Sequence, residues 1–176
     1  MLKRLFAVLL MVIVTITTGC STKETRFPED YSFSLTWGVY GVSSYDSSTG
    51  KLVKTTDATK PEDYVTTYML TESEQEEIRE ILSDLDLKGY PEEYDPFNSP
   101  NSDQKVMTRP SQDIILTVYF DDEIVEIKAI DIALSGAESG YNSDARAFLK
   151  AVERIKEILL NTDEWQALPE YEFLYE

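Results

Sequence analysis

Two alternating stretches joined by two acidic residues constrain the fold of this chain most strongly. Residues 113–120 and residues 123–130 both alternate apolar with other side chains, and Asp121-Asp122 connects them. A period of two is typical of a strand that buries one face, and a two-residue connection is typical of a β-hairpin. The pattern therefore predicts an antiparallel hairpin that buries one alternating set of residues: Ile114, Leu116, Val118, Phe120, Val125, Ile127 and Ala129.

Further strands are predicted before this hairpin. Residues 33–42 alternate, with Phe33, Leu35, Trp37 and Val39 on one side. Residues 45–53 are typical of a second hairpin, in which Gly50 supplies a positive φ and residues 51–55 form the returning strand. Residues 64–70 are aromatic and β-branched and predict a third strand.

Two helices follow from capping and periodicity. Thr71-Glu72-Ser73-Glu74 is a capping box, and the apolar residues behind it recur at helical spacing, which predicts a helix over residues 72–86. A second helix is expected over residues 143–161. Trp165, Leu168 and Pro169 are expected to fold back over the core. The two predicted apolar stripes are Ile78, Ile81, Leu82 and Leu85, and Phe148, Val152, Ile155 and Leu159.

The order of elements is β-β-β-α-β-β-α, which indicates an α+β fold. Hairpins imply antiparallel pairing, so we expect an antiparallel sheet of about five strands with two amphipathic helices on one face. Residues 32–176 are expected to form this single domain. The connection over residues 90–112 contains four prolines and is unusually long, which is typical of functional or mobile segments.

The first twenty residues carry a targeting pattern. Lys3 and Arg4 precede an apolar stretch from Leu5 to Ile16, which is too short to span a bilayer. Thr17-Thr18-Gly19-Cys20 then resembles the lipobox of bacterial lipoproteins, although that family prefers Leu, Val or Ile at the position of Thr17. The resemblance implies a signal peptide over residues 1–19, acylation of Cys20, and a tether over residues 20–31. It also implies that the domain is attached to the cell membrane, facing outside the cytoplasm.

Composition excludes several chemistries. The formal net charge is −17, which disfavours binding to nucleic acids and to anionic membrane surfaces. Cys20 is the one cysteine, so no disulfide can form within the chain. Histidine is absent, which excludes histidine-dependent triads and histidine metal sites. We expect no cofactor.

Acidic side chains suggest two further kinds of site. Oxygen ligands crowd the long connection, but their spacing is not that of an EF-hand, and we do not predict a metal site; they are Asp95, Asn98, Asn101 and Asp103. Carboxylate pairs that could in principle carry out acid–base chemistry occur in predicted loops and turns; they are Glu92-Glu93, Asp121-Asp122 and Glu170 with Glu172.

Aromatic residues give the candidate interaction surface. Tyrosine is common at interfaces because it combines an apolar ring with a polar hydroxyl, although tyrosine also suits any half-exposed sheet. We expect the sheet face away from the helices, together with the long connection, to present Tyr40, Tyr64, Tyr68, Tyr119, Tyr90, Tyr94 and Phe97. The leading hypothesis is a lipid-anchored module that binds another envelope protein, and a catalytic role is not favoured. The alternatives are a carboxylate-dependent hydrolase of envelope polymers and an accessory subunit of a secretion or transport system.

Overall fold

A computed structural model describes residues 27–39, 43–55, 58–94, 111–133 and 141–170. Within these ranges one sheet has the strand order β4-β3-β2-β1-β6-β7-β5. The strands are β1 (Tyr31–Trp37), β2 (Ser43–Asp46), β3 (Lys51–Val53), β4 (Val65–Thr67), β5 (Glu93–Tyr94), β6 (Ser111–Phe120) and β7 (Glu123–Ala133). The helices are α1 (Glu72–Ser83), α2 (Ser143–Leu160) and the short α3 (Asp163–Gln166).

The α+β class is confirmed, but the expected sheet of about five antiparallel strands is wrong in detail. The described residues form seven strands, and the sheet is mixed because β5 pairs in parallel with β7. A third short helix is also present. The strand that was not predicted is β5, which has two residues. Such a short strand contains too little alternation to be recognised in the sequence, since only its neighbour in the sheet defines it.

Two predicted strands are shorter than expected. The strand expected over residues 33–42 ends at Trp37, where Gly38 takes a φ of 100° and turns the chain. The strand expected over residues 64–70 contains only β4, because Pro61–Tyr64 forms a 3-10 turn immediately before it. Pro61 fixes its own φ near the helical value, which suits the first position of such a turn.

The hairpin of β6 and β7 lies beside the middle strand β1, and its register places the expected residues on one face. Leu116 pairs with Ile127 and Val118 with Val125, while β1 adds Leu35 opposite Leu116. Most of these side chains are buried together with the apolar stripes of α1 and α2 in one core. The helices therefore cover this face of the sheet, which we call the covered face; the opposite face is the open face.

Both helices begin as predicted. Thr71 and Glu74 form the full capping box of α1, and α1 ends at Ser83, slightly earlier than expected. Asn142 caps α2, which ends at Leu160. Every residue of the two predicted apolar stripes is buried. The hydrophobic periodicity thus identified the helical side of the core correctly.

The chain enters the sheet beside the β6–β7 turn. Phe27 contacts Tyr31 with ring centroids 5.6 Å apart and contacts Phe120 at 4.9 Å. Arg79 of α1 donates a hydrogen bond of 3.1 Å to the Phe27 carbonyl. These contacts hold the beginning of the described chain at one end of the sheet.

The segment after α2 packs at the opposite end of the sheet. Trp165 contacts Trp37 with ring centroids 5.8 Å apart, and the ammonium group of Lys54 lies 5.7 Å from the Trp165 ring centre. The Tyr64 hydroxyl donates to the Glu170 carbonyl at 3.3 Å. The prediction that this segment folds back over the core is confirmed for Trp165, which packs against the core, but it is wrong for Pro169, which is exposed. Leu168 is half-buried.

Candidate functional site

The expected tyrosine surface does not form as a single face. Tyr119 lies on the open face, but Tyr68 and Tyr94 pack against the core on the side of the helices, and Tyr64 is buried with its hydroxyl bonded to the Glu170 carbonyl. Their expected exposure on a shared surface is therefore wrong. The pairing of β5 with β7 places Tyr94 beside the buried Ala129, whereas Tyr64 and Tyr68 flank β4 and do not belong to it. Tyr40 and Phe97 lie outside the described residues.

Tyr68 contributes to the cap of α1. Its hydroxyl donates a hydrogen bond of 2.6 Å to Glu74 Oε2. Burial is the main reason that the pKa of Tyr68 rises to about 12, and the adjacent Glu74 carboxylate adds to the effect. This tyrosine therefore stays protonated and acts as a structural donor between β4 and α1.

Tyr94 holds the short strand β5 against α2. Its hydroxyl donates to the side-chain oxygen of Asn142 at 2.9 Å, and its ring packs edge-on against Phe148 with centroids 6.3 Å apart. Tyr90 also contacts Phe148, at 5.7 Å. The first residues of the long connection thus belong to the core, which sequence analysis did not predict.

The open face is mainly polar at the centre of the sheet. The strand register brings mostly hydroxyl-bearing and charged side chains together there: Ser32, Ser34, Thr36, Ile115, Thr117, Tyr119, Ile124, Glu126 and Lys128. Lys128 contacts Glu126 at 2.9 Å and Glu92 at 3.5 Å. The hydrogen bond from Lys128 is the main reason that the pKa of Glu126 lies below its ordinary value.

Tyr119 and Ile124 form the apolar part of this face. They are register partners on β6 and β7, and their side chains are 42% and 68% exposed. Directly paired side chains on neighbouring strands are close enough to form one contact surface. We call this pair the hairpin pair.

Acidic residues surround the hairpin pair. A shallow groove at this end of the sheet is lined by Asp30, Tyr31, Ser32 and residues 119–124, which include Asp121, Asp122 and Glu123. Lys88 reaches Glu123 at 2.7 Å from outside the groove. The surface therefore combines exposed apolar groups with a strongly negative rim.

A second groove lies between α1, α2 and α3. It is lined by Tyr68, Glu74, Glu77, Ile158, Asn161, Thr162, Asp163 and Glu164. Glu74 is committed to the helix cap, because its Oε2 accepts hydrogen bonds from Tyr68 and from the Thr71 backbone at 2.6 Å and 2.8 Å. Glu77 lies 3.7 Å from the Arg154 guanidinium group.

The predicted carboxylate pairs have conformational or ionic roles where the structure describes them. Asp121 and Asp122 both have positive φ, of 49° and 62°, and form the turn between β6 and β7. Glu92 interacts with Lys128. Glu172 and the oxygen-rich set from Asp95 to Asp103 lie outside the described residues. In the part of the chain that is described, no cluster of three or more acidic, His or Cys side chains is arranged to hold a metal ion.

No protein-family model matches the chain, and no curated protein shows significant similarity to it. Among the described residues, no helix is both long enough and apolar enough to cross a membrane.

Sequence analysis missed Ile124 as a surface residue, although a signal was present. The alternation of β7 assigns Val125 and Ile127 to the covered face, so Ile124 is an isoleucine at an open-face position beside a charged turn. Burying one large apolar side chain contributes about 1.5–3 kcal/mol. A binding partner that covers Ile124 would gain this free energy.

Proposed function

We propose that this protein is a lipid-anchored binding protein of the bacterial cell envelope. Its anchor is an acylated Cys20, and its domain binds another envelope protein through the open face around the hairpin pair. The observation that carries the binding role is the exposure of Tyr119 and Ile124, side by side, on an otherwise polar face.

The composition of this surface suits protein recognition. Interface centres are enriched in tyrosine and other large side chains, and polar groups surround them. The hydroxyl groups of Ser32 and Ser34 and the Glu126–Lys128 pair supply such polar groups next to the hairpin pair. A partner that covers this surface gains apolar burial at the centre and hydrogen bonds around it.

The position of the chain entry supports the anchoring role. Seven residue steps separate Cys20 from Phe27. Fully extended, they span at most roughly 25 Å. Phe27 contacts Phe120 next to the β6–β7 turn. An acylated Cys20 therefore keeps the hairpin pair close to the membrane, so the proposed partner is a protein whose exposed part lies near the bilayer.

The anchor is tested by metabolic labelling of the full chain with a fatty-acid precursor. We expect label on the wild type and none on Cys20→Ala, which also keeps the mass of the unprocessed precursor. Label on Cys20→Ala, or an unmodified Cys20 with residues 1–19 still attached in native material, contradicts the proposal.

The binding surface is tested by crosslinking in cells, followed by purification of the full chain and quantitative mass spectrometry. The double variant Tyr119→Ser/Ile124→Thr is compared with the control Val65→Thr/Met69→Ser, which removes exposed apolar groups from the far edge of the sheet. We expect the double variant to lose crosslinked partner about tenfold, equivalent to about 1.4 kcal/mol. Equal recovery from both variants contradicts the proposed surface.

The carboxylate-dependent hydrolase and the accessory-subunit role stay predictions from the sequence. Asp46, Glu74 and Glu126 all have pKa values lowered from their ordinary range, whereas a general acid near neutral pH needs a raised one. These three carboxylates therefore do not suit the role of a general acid. An accessory subunit is one form of the proposed binding protein.

A further inference from the structure

The outer edge of β7 is only partly covered. β5 pairs with β7 at Lys128 and Ala129, where the Lys128 amide donates to the Glu92 carbonyl at 2.7 Å. Because backbone groups alternate between the two sides of a strand, the amides and carbonyls of Ile124 and Glu126 also point away from β6. Within the described residues, no backbone partner pairs with them on that side.

This free edge lies beside the hairpin pair. Ile124 contributes both an exposed side chain and outward-facing backbone groups. An unpaired strand edge is a ready template for another strand, and peptide recognition often uses it: backbone hydrogen bonds give affinity, and alternate side chains give specificity. The geometry therefore favours an extended occupant over a helical one.

The negative charge around the groove indicates that the occupant is positively charged. Asp30, Asp121, Asp122 and Glu123 line the adjoining groove, and the chain as a whole has a net charge of −17. Lys88 already pairs with Glu123 at 2.7 Å, so the remaining negative charge of the groove comes from Asp30, Asp121 and Asp122. An acidic segment, an anionic lipid or a second copy of this acidic chain meets electrostatic repulsion at the same place.

We propose that the partner presents an extended segment of alternating basic and apolar residues, which adds to the edge of β7 at Ile124 and Glu126. Its apolar side chains contact the hairpin pair, and its Lys or Arg side chains face Asp121, Asp122 and Glu123. This inference rests on the proposed binding role and names the chemistry of the partner's segment.

The test uses the full chain in neutral detergent and a labelled peptide of alternating lysine and valine, with binding followed by fluorescence anisotropy. A glutamate–valine peptide controls for charge. A lysine–valine peptide N-methylated at alternate residues controls for backbone pairing. We expect binding of the first peptide, about tenfold weaker binding of the N-methylated peptide, and no binding of the acidic one.

Protein variants separate this surface from general electrostatic attraction. Asp121→Asn/Asp122→Asn removes two negative charges from the turn and keeps a residue type that tolerates positive φ. The control, Asp163→Asn/Glu164→Gln, removes two negative charges from the groove between the helices. We expect about tenfold weaker peptide binding and weaker salt dependence for the first variant, and a change below about twofold for the second. Equal effects of the two variants, or equal binding of the N-methylated peptide, overturn the inference.

The two proposals fail in different ways. If Tyr119→Ser/Ile124→Thr loses the cellular partner but Asp121→Asn/Asp122→Asn retains it fully, the binding surface stands and the basic extended segment is wrong. If both variants retain the partner, the open face is not the binding surface, and both proposals fail.

Discussion

The guanidinium group of Arg79 donates a hydrogen bond of 3.1 Å to the main-chain oxygen of Phe27, which joins α1 to the beginning of the described chain. The Nε atom of Arg79 also donates to Glu76 Oε2 at 2.8 Å, and Arg79 is only 4% exposed. A buried guanidinium group needs such partners because an unpaired buried charge is costly. The contact holds the backbone at Phe27 against α1.

Arg79→Met is expected to loosen the chain entry, because methionine fills similar space but donates no hydrogen bond to Phe27. We expect hydrogen–deuterium exchange in peptides covering residues 27–33 to become about tenfold faster. Arg154→Met is the control, since its ion pair with Glu77 is exposed and long, at 3.7 Å. Equal exchange rates in the two variants would show that the Arg79–Phe27 hydrogen bond does not hold residues 27–33 in place.

Glu74 is expected to contribute to the pH dependence of stability. Burial raises its pKa, but hydrogen bonds from Tyr68 and Thr71 outweigh this effect and leave the pKa below the ordinary value of 4.5. A carboxyl group with a lowered folded-state pKa stabilises the fold above its unfolded-state pKa, and that contribution is lost as the pH falls through the folded-state value. The free energy of unfolding should therefore fall below about pH 4.5.

Urea denaturation at a series of pH values between neutral and strongly acidic checks this prediction. Glu74→Gln should lower stability at neutral pH and flatten the acid-side dependence, since glutamine does not titrate. Tyr68→Phe removes one of the stabilising hydrogen bonds and should give an intermediate slope. An unchanged acid-side slope in Glu74→Gln would show that this carboxyl group is not coupled to folding.

Asp122→Gly is expected to stabilise the hairpin. Asp122 has a φ of 62° in the second central position of a two-residue turn, where glycine is preferred because it has no Cβ. Relief of the left-handed conformation should outweigh the entropy gained by the unfolded chain, for a net gain of about 0.5–1 kcal/mol. Thermal unfolding of Asp122→Gly and Asp122→Ala checks this, and the alanine variant should be less stable than the wild type.

Asn142 is expected to stabilise the fold through two hydrogen bonds. Its side-chain oxygen accepts from the Ala145 amide at 2.8 Å and from the Tyr94 hydroxyl at 2.9 Å. Asn142→Ala removes the helix cap and leaves Tyr94 without this acceptor, which should cost about 1–2 kcal/mol. Asn142→Asp keeps the acceptor oxygen and should retain most of the stability. Chemical denaturation of the two variants distinguishes them, and equal losses would contradict the role of the oxygen.

The sequence predicted the regular elements where local patterns are strong. The capping box at Thr71 and Glu74, the positive φ at Gly50 and the two-residue turn at Asp121-Asp122 are local features, and all three are present. Phe148 and Ile155 were assigned to the core because helical periodicity depends only on spacing along one element. Such features need no knowledge of distant residues.

The tyrosine surface could not be predicted in the same way. Tyr94 points toward α2 because Glu93–Tyr94 pairs with Lys128–Ala129, a contact between segments more than thirty residues apart in the chain. The irregular register near Gln112 and Ile114, where Asp131 has a φ of 58°, likewise depends on how β6 and β7 align. In a strand, a shift of one residue exchanges the two faces, so exposure follows from register.

By itself, the sequence determined the α+β class, the two amphipathic helices and the β6–β7 hairpin, because capping, periodicity and turn chemistry act over a few neighbouring residues. Only the tertiary structure decided that β5 is parallel to β7, that Tyr64 and Tyr94 are buried, and that Tyr119 and Ile124 form an exposed pair. These properties depend on which strands become neighbours and in which register. That choice is made by the packing of the whole core and not by any one segment.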